Sequence, residues 1–440
     1  MAKGTMPRRR FLQVAAGLGV TTVLSCTAGT PRQLPGRPAS ATIPPTIPPT
    51  ILPTPGGVRL GVDVLFDNPA HLAVLRDQRV GLITNQTGRG SDGRRTVDLL
   101  YARPDLRLRT LFSPEQGWRG TAAPGAPVAN GRDATTGLPV YSLYGATEQP
   151  TAAMLTGLDV LVYDLQDVGA RYYTYVWTMA LAMRAAAAQQ LRFVVLDRPD
   201  PVGGALVQGN VLDPQFATFV GLYPVPMRYG MTPGELARYL NTAQGLHADL
   251  TVVPLEGWQR TLYYDETGLP WTPPSSNMPD VESATHYPGT CLFEGTNLSV
   301  GRGTPQAFQQ IGAPWLDHAE LVRRLAAYHL AGVQFTVVTF TPVQPGDGKF
   351  AEQTVRGVRF STTDRTTYDP TRAALAALLE LQRLHATTLT WNPSHFDALA
   401  GTSRLREQIV AGAALTEVTR GWEAQLELFG RQRARSLLYS

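Results

Sequence analysis

The sequence predicts an α/β protein, with a Rossmann-like parallel sheet domain followed by a smaller α/β C-terminal domain. Three observations carry that prediction. Short β-branched apolar runs recur from residue 79 onward, and each ends in polar or turn residues. The runs do not alternate apolar with polar, which suits strands covered on both faces. Segments of helical character separate them, so strand and helix alternate along the chain.

In chain order, RVGLIT (79–84) leads into Asn85, Gln86, Thr87 and Gly88. TVDLLYAR (96–103) then reads as a helix, with Ser91 and Asp92 before it as caps. LRTLFS (108–113) runs into PEQG, DVLVYD (159–164) into LQDVG, and RFVVLD (192–197) into RPDPVGG. Between the last two lies YTYVWTMALAMRAAAAQQ (173–190), an alanine-rich helix former. Thr232, Pro233 and Glu235 form a capping box that opens a helix through about Thr242. DLTVVPLEGW (249–258) reads as strand and turn, and WTPPSSNMPD (271–280) as a fixed loop containing Asn277. HYPGTCLFEGTNLSVGRGTPQAF (286–308) sets Glu294, Asn297 and Arg302 among glycines, which permit close backbone approach to a ligand. VQFTVVTFTP (333–342) is a strand, and apolar periodicity marks helices near 370–387 and 415–430. The domains are expected at 58–285 and 286–440.

The beginning of the chain has a different composition. PRRRFLQ (7–13) precedes an apolar stretch too short for a comfortable membrane span, the order of an export signal over residues 1–26. Paired arginines followed by Phe11 and Leu12 resemble a twin-arginine signal. Cys26 stands where a lipoprotein cysteine would, and lipidation there and simple cleavage nearby are equally open. Residues 27–57 form a Thr/Pro/Gly tract suited to an extended linker. Six basic residues and no acid fall within the first 57, and removing them from the 39 basic residues leaves 33 against 35 acidic ones. The body is therefore near neutral, and no nucleic-acid partner is expected. A membrane is expected as partner only through the signal or a lipid anchor. With only Cys26 and Cys291 no disulfide framework holds the fold, and the absence of a metal or dinucleotide motif predicts no metal and no cofactor.

In open parallel sheets ligands bind beyond the carboxyl ends of the strands. That topology delivers Asn85, Glu115, Asp164, Asp167, Asp197 and Asp200 to one rim. Each also has a plain use: Asn85 in its own turn, the aspartates as caps beside helices and prolines. In DLQDVGARYYTYVW (164–177), a helix beginning near Ala170 would set Arg171, Tyr172 and Tyr175 in its first turns, facing a ligand. Tyrosine faces stack on sugar rings while their tips bond hydroxyls. Glu294 reads equally well as a site residue and as an ion-pair partner of Arg302.

GLITNQTG, LFSPEQGWRG, DVLVYDLQDVGARYYTYVWTM, LDRPDPVGG, MRYGMTPGELARYLN, NMP and YPGTCLFEGTNLSVGRGT together resemble the NamZ family of exo-β-N-acetylmuramidases, over about 78–440. The resemblance implies an extracytoplasmic glycoside hydrolase that releases N-acetylmuramic acid from the non-reducing ends of peptidoglycan fragments, with muramyl saccharides as its partners. It places the catalytic glutamate of the family's SPEHG motif at Glu115, where this chain has Gln116 in place of histidine. Glycosidic cleavage needs a proton donor and usually a second carboxylate. Glu115 is expected to be the general acid/base, and Asp164, Asp167 and Glu294 compete as its partner. Substrate assistance by the sugar's acetamide is a third route. Arg171 or Arg302 is expected to pair with the lactyl carboxylate. Two rivals are a non-catalytic tethered sugar-binding protein and another class of cell-wall hydrolase, the latter without a GxSxG elbow, zinc cluster or Cys/His pair to support it.

Overall fold

A computed structural model describes residues 57–122 and 125–440. The expected export signal, Cys26 and the linker up to residue 56 lie outside the described residues. In chain order the strands are β1 (Arg79–Thr84), β2 (Arg107–Ser113), β3 (Gly131–Arg132), β4 (Pro139–Ser142), β5 (Val160–Asp164), β6 (Arg192–Leu196), β7 (Gln208–Val211), β8 (Pro226–Arg228), β9 (Asp249–Val253), β10 (Gln310–Ala313), β11 (Val333–Phe340) and β12 (Val355–Thr362). Seven of them form one sheet in the order β3-β4-β2-β1-β5-β6-β9, parallel except for the short β3–β4 pair. A three-stranded antiparallel sheet, β10-β12-β11, and the ribbon β7-β8 complete the strands.

Burial on both faces explains the unbroken apolar runs. Every residue of β5 is buried. Val160 and Val162 pack on one side with Val62, Val64 and Leu65 of the helix Gly61–Asp67. Leu161 and Tyr163 pack on the other with Val176, Met179 and Ala180 of the helix Tyr175–Ala188. Fully burying one such side chain stabilises the fold by about 1.5–3 kcal/mol, so a polar residue at Val162 would be severe. The chain winds from β1 outward to β2 and β4, then returns to β5 on the other side, with Thr84 beside Asp164. The carboxyl ends of β1 and β5 thus flank the crevice where such sheets take ligands.

Three elements depart from the sequence expectation. The helix Thr96–Tyr101 is preceded at its cap by Arg95, while Asp92 accepts from the Arg94 backbone instead. The helix after β5 begins at Tyr175 and not near Ala170, because Ala170 bridges to Arg228 and the Arg171 N–H donates to the Met227 carbonyl at 2.9 Å. The glycine-rich stretch begins inside a helix, Val281–Thr290, that runs through Pro288. A Cβ on Gly289 would lie 1.9 Å from the Pro370 carbonyl oxygen, so glycine permits the close crossing with the helix Pro370–Leu384. One apolar core continues from the large sheet through Tyr172, Tyr287 and Phe308 to Phe360 and Leu375, so both regions share it.

Much of the polar rim is buried and spent internally. Asp164 pairs with Arg198 at 2.6 Å, both almost without exposure, and also accepts from Thr96. Asp167 accepts from the Tyr229 hydroxyl and from the Gly169 N–H at 2.9 Å. Arg171 donates to four backbone carbonyls, those of Asn210, Val225, Leu399 and Ala400, at 2.9–3.0 Å. Asp197 accepts from the Thr232 hydroxyl and the Gly234 N–H, at the start of the helix Pro233–Ala243.

Two consequences are measurable. Burial pushes the carboxyls of Asp167, Asp197 and Asp200 up to about 6, 7 and 8, against about 3.9 in the unfolded chain. The folded state therefore holds more protons, so this stabilisation is complete below about pH 4 and is lost as pH rises through 6, 7 and 8. Urea midpoints should fall between pH 5 and 8.5, and Asp200→Asn should flatten the upper part of that fall. A variant profile parallel to the wild type would contradict it. Arg171→Lys should lower stability by about 2–4 kcal/mol, because an ammonium cannot fork to four carbonyls; an unchanged denaturation midpoint would refute the clamp.

Candidate active site

Glu115 owes its position to the end of β2. Pro114 cannot extend the ladder, and the Gly117 N–H closes a tight turn onto the Pro114 carbonyl at 3.0 Å. Gln116 within that turn has φ of 66°, the left-handed region that costs a non-glycine residue about 1–2 kcal/mol. The turn leaves the Glu115 side chain half-buried and held at both oxygens. Oε1 accepts from the Gly125 N–H at 2.9 Å, and Oε2 from the Thr174 hydroxyl at 2.7 Å.

The carboxyl lines a partly open cleft. Tyr172, Tyr173 and Thr174 form the wall before the helix Tyr175–Ala188, and Asn277 and Met278 reach in from the proline-rich loop. Tyr287, Phe308 and Arg302 close the far side. The Tyr287 and Phe308 rings meet edge to face, with centroids 4.7 Å apart. Burial pushes the phenols of Tyr173 and Tyr287 well up, so both remain neutral.

Arg302 lies 5.0 Å from the Phe308 ring centroid and spends Nε on Glu294 at 2.5 Å. Its two terminal nitrogens make no hydrogen bond to the described residues. Burial opposes ionisation of Glu294, but the Arg302 charge and hydrogen bond outweigh it and hold the carboxyl below its ordinary range. The pair therefore presents a fixed cation to the cleft.

Of the residues expected from sequence, Glu115, Tyr172, Asn277 and Arg302 meet in this cleft. Glu294 stands behind Arg302. Asp164 and Asp167 lie in the buried networks above, and Arg171 is enclosed among carbonyls rather than beside a ligand. The Tyr175 ring is buried, and its hydroxyl secures the loop through the Pro274 carbonyl at 2.8 Å. Asn85 serves its own turn through Oδ1, which accepts from the Thr87 N–H and hydroxyl, while its buried Nδ2 has no partner among the described residues. It lines a separate hollow with Arg89, Arg95 and Trp118. The expected convergence of strand-end acids on one hollow is thus corrected to one carboxyl in the cleft, because the neighbouring aspartates satisfy buried donors. Sequence reasoning missed Thr174, Tyr173, Tyr287, Phe308 and Gln116 as cleft residues. A threonine just before a strong helix was the one readable signal for the first.

Comparison with known proteins agrees over nearly the whole described chain. Residues 80–282 match the family model described as exo-β-N-acetylmuramidase NamZ, N-terminal, and residues 285–439 match its C-terminal counterpart. The chain is 42% identical over 383 residues to the peptidoglycan β-N-acetylmuramidase NamZ of Bacillus subtilis (strain 168), covering 87% of this chain and 91% of that protein. Crystal structures of two DUF1343 family proteins from Bacteroides fragilis superpose with TM-scores of 0.81 and 0.70 at 35% and 30% identity. Each alignment covers 87% of this chain and 99% of the other. The chain belongs to the NamZ family of exo-β-N-acetylmuramidases.

Proposed function

We propose that this protein is an exo-acting glycoside hydrolase that releases N-acetylmuramic acid from the non-reducing ends of peptidoglycan fragments, with Glu115 as general acid/base. The observation that carries the reading is the geometry at Glu115: a carboxyl fixed at both oxygens by Gly125 and Thr174, opening into an aromatic-walled cleft. Fixing the group in advance is what proton transfer in the transition state requires. Aromatic faces and neutral phenols suit a sugar ring. The free end of the Arg302 guanidinium suits the lactyl carboxylate that distinguishes muramic acid from glucosamine, since a planar fork matches a carboxylate.

The arginine pair and apolar stretch at the start of the chain support export, with the Thr/Pro tract as spacer and Cys26 as the residue for a lipid anchor or a nearby cleavage. The site of action is then the cell wall outside the cytoplasm. A second reading, a tethered sugar-binding protein without turnover, draws on Gln116 replacing the histidine of the family motif. A chromogenic β-N-acetylmuramide separates the two, because binding without release of sugar would favour the second.

On that substrate, Glu115→Gln should lower kcat/KM by about 10²–10⁴-fold while leaving the fold intact. Full turnover by this variant would remove the assignment. Arg302→Lys keeps the charge beside Glu294 but loses the fork. It should weaken kcat/KM for muramides roughly tenfold, through KM, and leave any trace activity on the glucosaminide analogue unchanged. Equal losses on both sugars would place Arg302 elsewhere than at the lactyl group.

A further inference from the structure

Cleavage with a second protein carboxylate, whether retaining or inverting, needs that group within several ångströms of the first across the sugar. Here the three rivals are committed elsewhere. Asp164 is paired with Arg198, Asp167 is bonded by Tyr229 and Gly169, and Glu294 is paired with Arg302. Among the described residues Glu115 alone brings a carboxyl to the cleft lining.

We propose that the second reacting group is the substrate's own 2-acetamido oxygen, and that Glu115 serves both steps from one side of the ring. The inference rests on the muramidase reading above and deepens it. In a β-linked 2-acetamido sugar the acetamido group lies trans to the leaving oxygen and can attack C1 from the opposite face. In the first step the acetamido carbonyl oxygen bonds to C1 as the bond from C1 to the leaving oxygen breaks. The electron pair passes to the leaving oxygen, which takes the proton of the Glu115 carboxylic acid, and an oxazolinium ion and a Glu115 carboxylate result.

In the second step a water oxygen attacks C1 from the face that the leaving group vacated and gives its proton to Glu115. The bond from C1 to the acetamido oxygen breaks, the acetamide is restored, and the sugar is released with its β configuration retained. Leaving group and water use the same face, so one carboxyl suffices. A threonine hydroxyl both donates and accepts, so the Thr174 contact can serve Glu115 in either protonation state. Met278 and Phe308 give the acetamido methyl an apolar wall, and the Asn277 amide offers its N–H an acceptor.

The test uses the wild-type protein with 4-nitrophenyl β-muramides carrying acetyl, monofluoroacetyl, difluoroacetyl and trifluoroacetyl groups on nitrogen. Fluorine withdraws electrons from the attacking oxygen. A progressive fall in kcat/KM is therefore expected, reaching about a hundredfold or more for trifluoroacetyl, with the β-anomer as the first sugar seen by NMR. The α-anomer appearing first would overturn the inference in favour of an inverting base. Retention with rates flat across the series would overturn it in favour of a nucleophile on the protein. Neither of those outcomes disturbs the muramidase reading, whereas no release from the parent acetyl compound would overturn both.

Discussion

A buried cation governs the geometry of this cleft. Arg171 has no exposed surface, and no carboxylate among the described residues bonds its guanidinium; its terminal nitrogens donate to carbonyls of Asn210, Val225, Leu399 and Ala400 instead. A charge taken out of water is tolerated only when hydrogen bonds replace its hydration. Burial lowers its pKa to about 10, which leaves it charged at neutral pH. Its backbone is held as firmly: the N–H donates to Met227 and the carbonyl accepts from the Trp177 indole at 2.7 Å. Residues 170–174 consequently cannot join the following helix. Thr174 becomes its N-cap, with helical φ and ψ and no side-chain capping bond. A hydroxyl that would ordinarily satisfy a helix N–H is directed to Glu115. Through one guanidinium, the end of the helix Pro393–Ala400 supports the position of a carboxyl nearly three hundred residues earlier in the chain.

The remaining polar groups at the strand ends obey the same accounting. Wherever a chain leaves a buried parallel sheet, backbone groups lose their ladder partners and need others. Asn85, Asp164 and Asp197 supply them, or hold the side chains that do, and so do Asp167 and Asp200 in the loops that follow. Polar residues collected at a rim are therefore mostly structural even in a fold whose rim binds ligands. Glu115 differs because its two partners leave one side of the carboxyl facing open space. The Glu294–Arg302 pair shows a graded version, with the acid turned inward and the free end of the base turned toward the cleft.

This distinction sets what was legible in the sequence. Burial on both faces writes itself as apolar runs, so β1, β2, β5 and β6 could be read almost to the residue, whereas β9 and β11, largely unburied, were legible from their β-branched composition. Thr232 to Glu235 marked a helix start because the partners in a capping box are three positions apart. Arg171 could not be placed, since its acceptors lie 39, 54, 228 and 229 positions away. Thr174 was hidden for the same reason, 59 positions from Glu115. The helix Val281–Thr290 was obscured by its proline and glycine. The glycine is there for packing, since Gly289 admits the neighbouring helix, and the helix is tied to the cleft wall where the Pro288 carbonyl accepts from the Tyr172 hydroxyl at 2.8 Å.

Gln116 stands where the resemblance to the family implies a histidine. Its strained φ is sustained by bonds on either side, Gly117 to the Pro114 carbonyl and the Ala122 N–H to its own carbonyl at 3.1 Å. Backbone strain of this kind persists where the surroundings over-determine it, and it clusters at functional sites. Those bonds are made by main-chain atoms and are indifferent to whether the side chain is glutamine or histidine, so the turn that presents Glu115 survives the exchange. What is lost is an imidazole able to gain and release a proton near neutral pH, for which an amide offers only neutral donors and an acceptor. The other titratable groups around the cleft are phenols held neutral by burial and a guanidinium that stays charged. In the proposed mechanism proton transfer falls to Glu115, and a scheme that asks one carboxyl to give a proton and then take one needs no histidine.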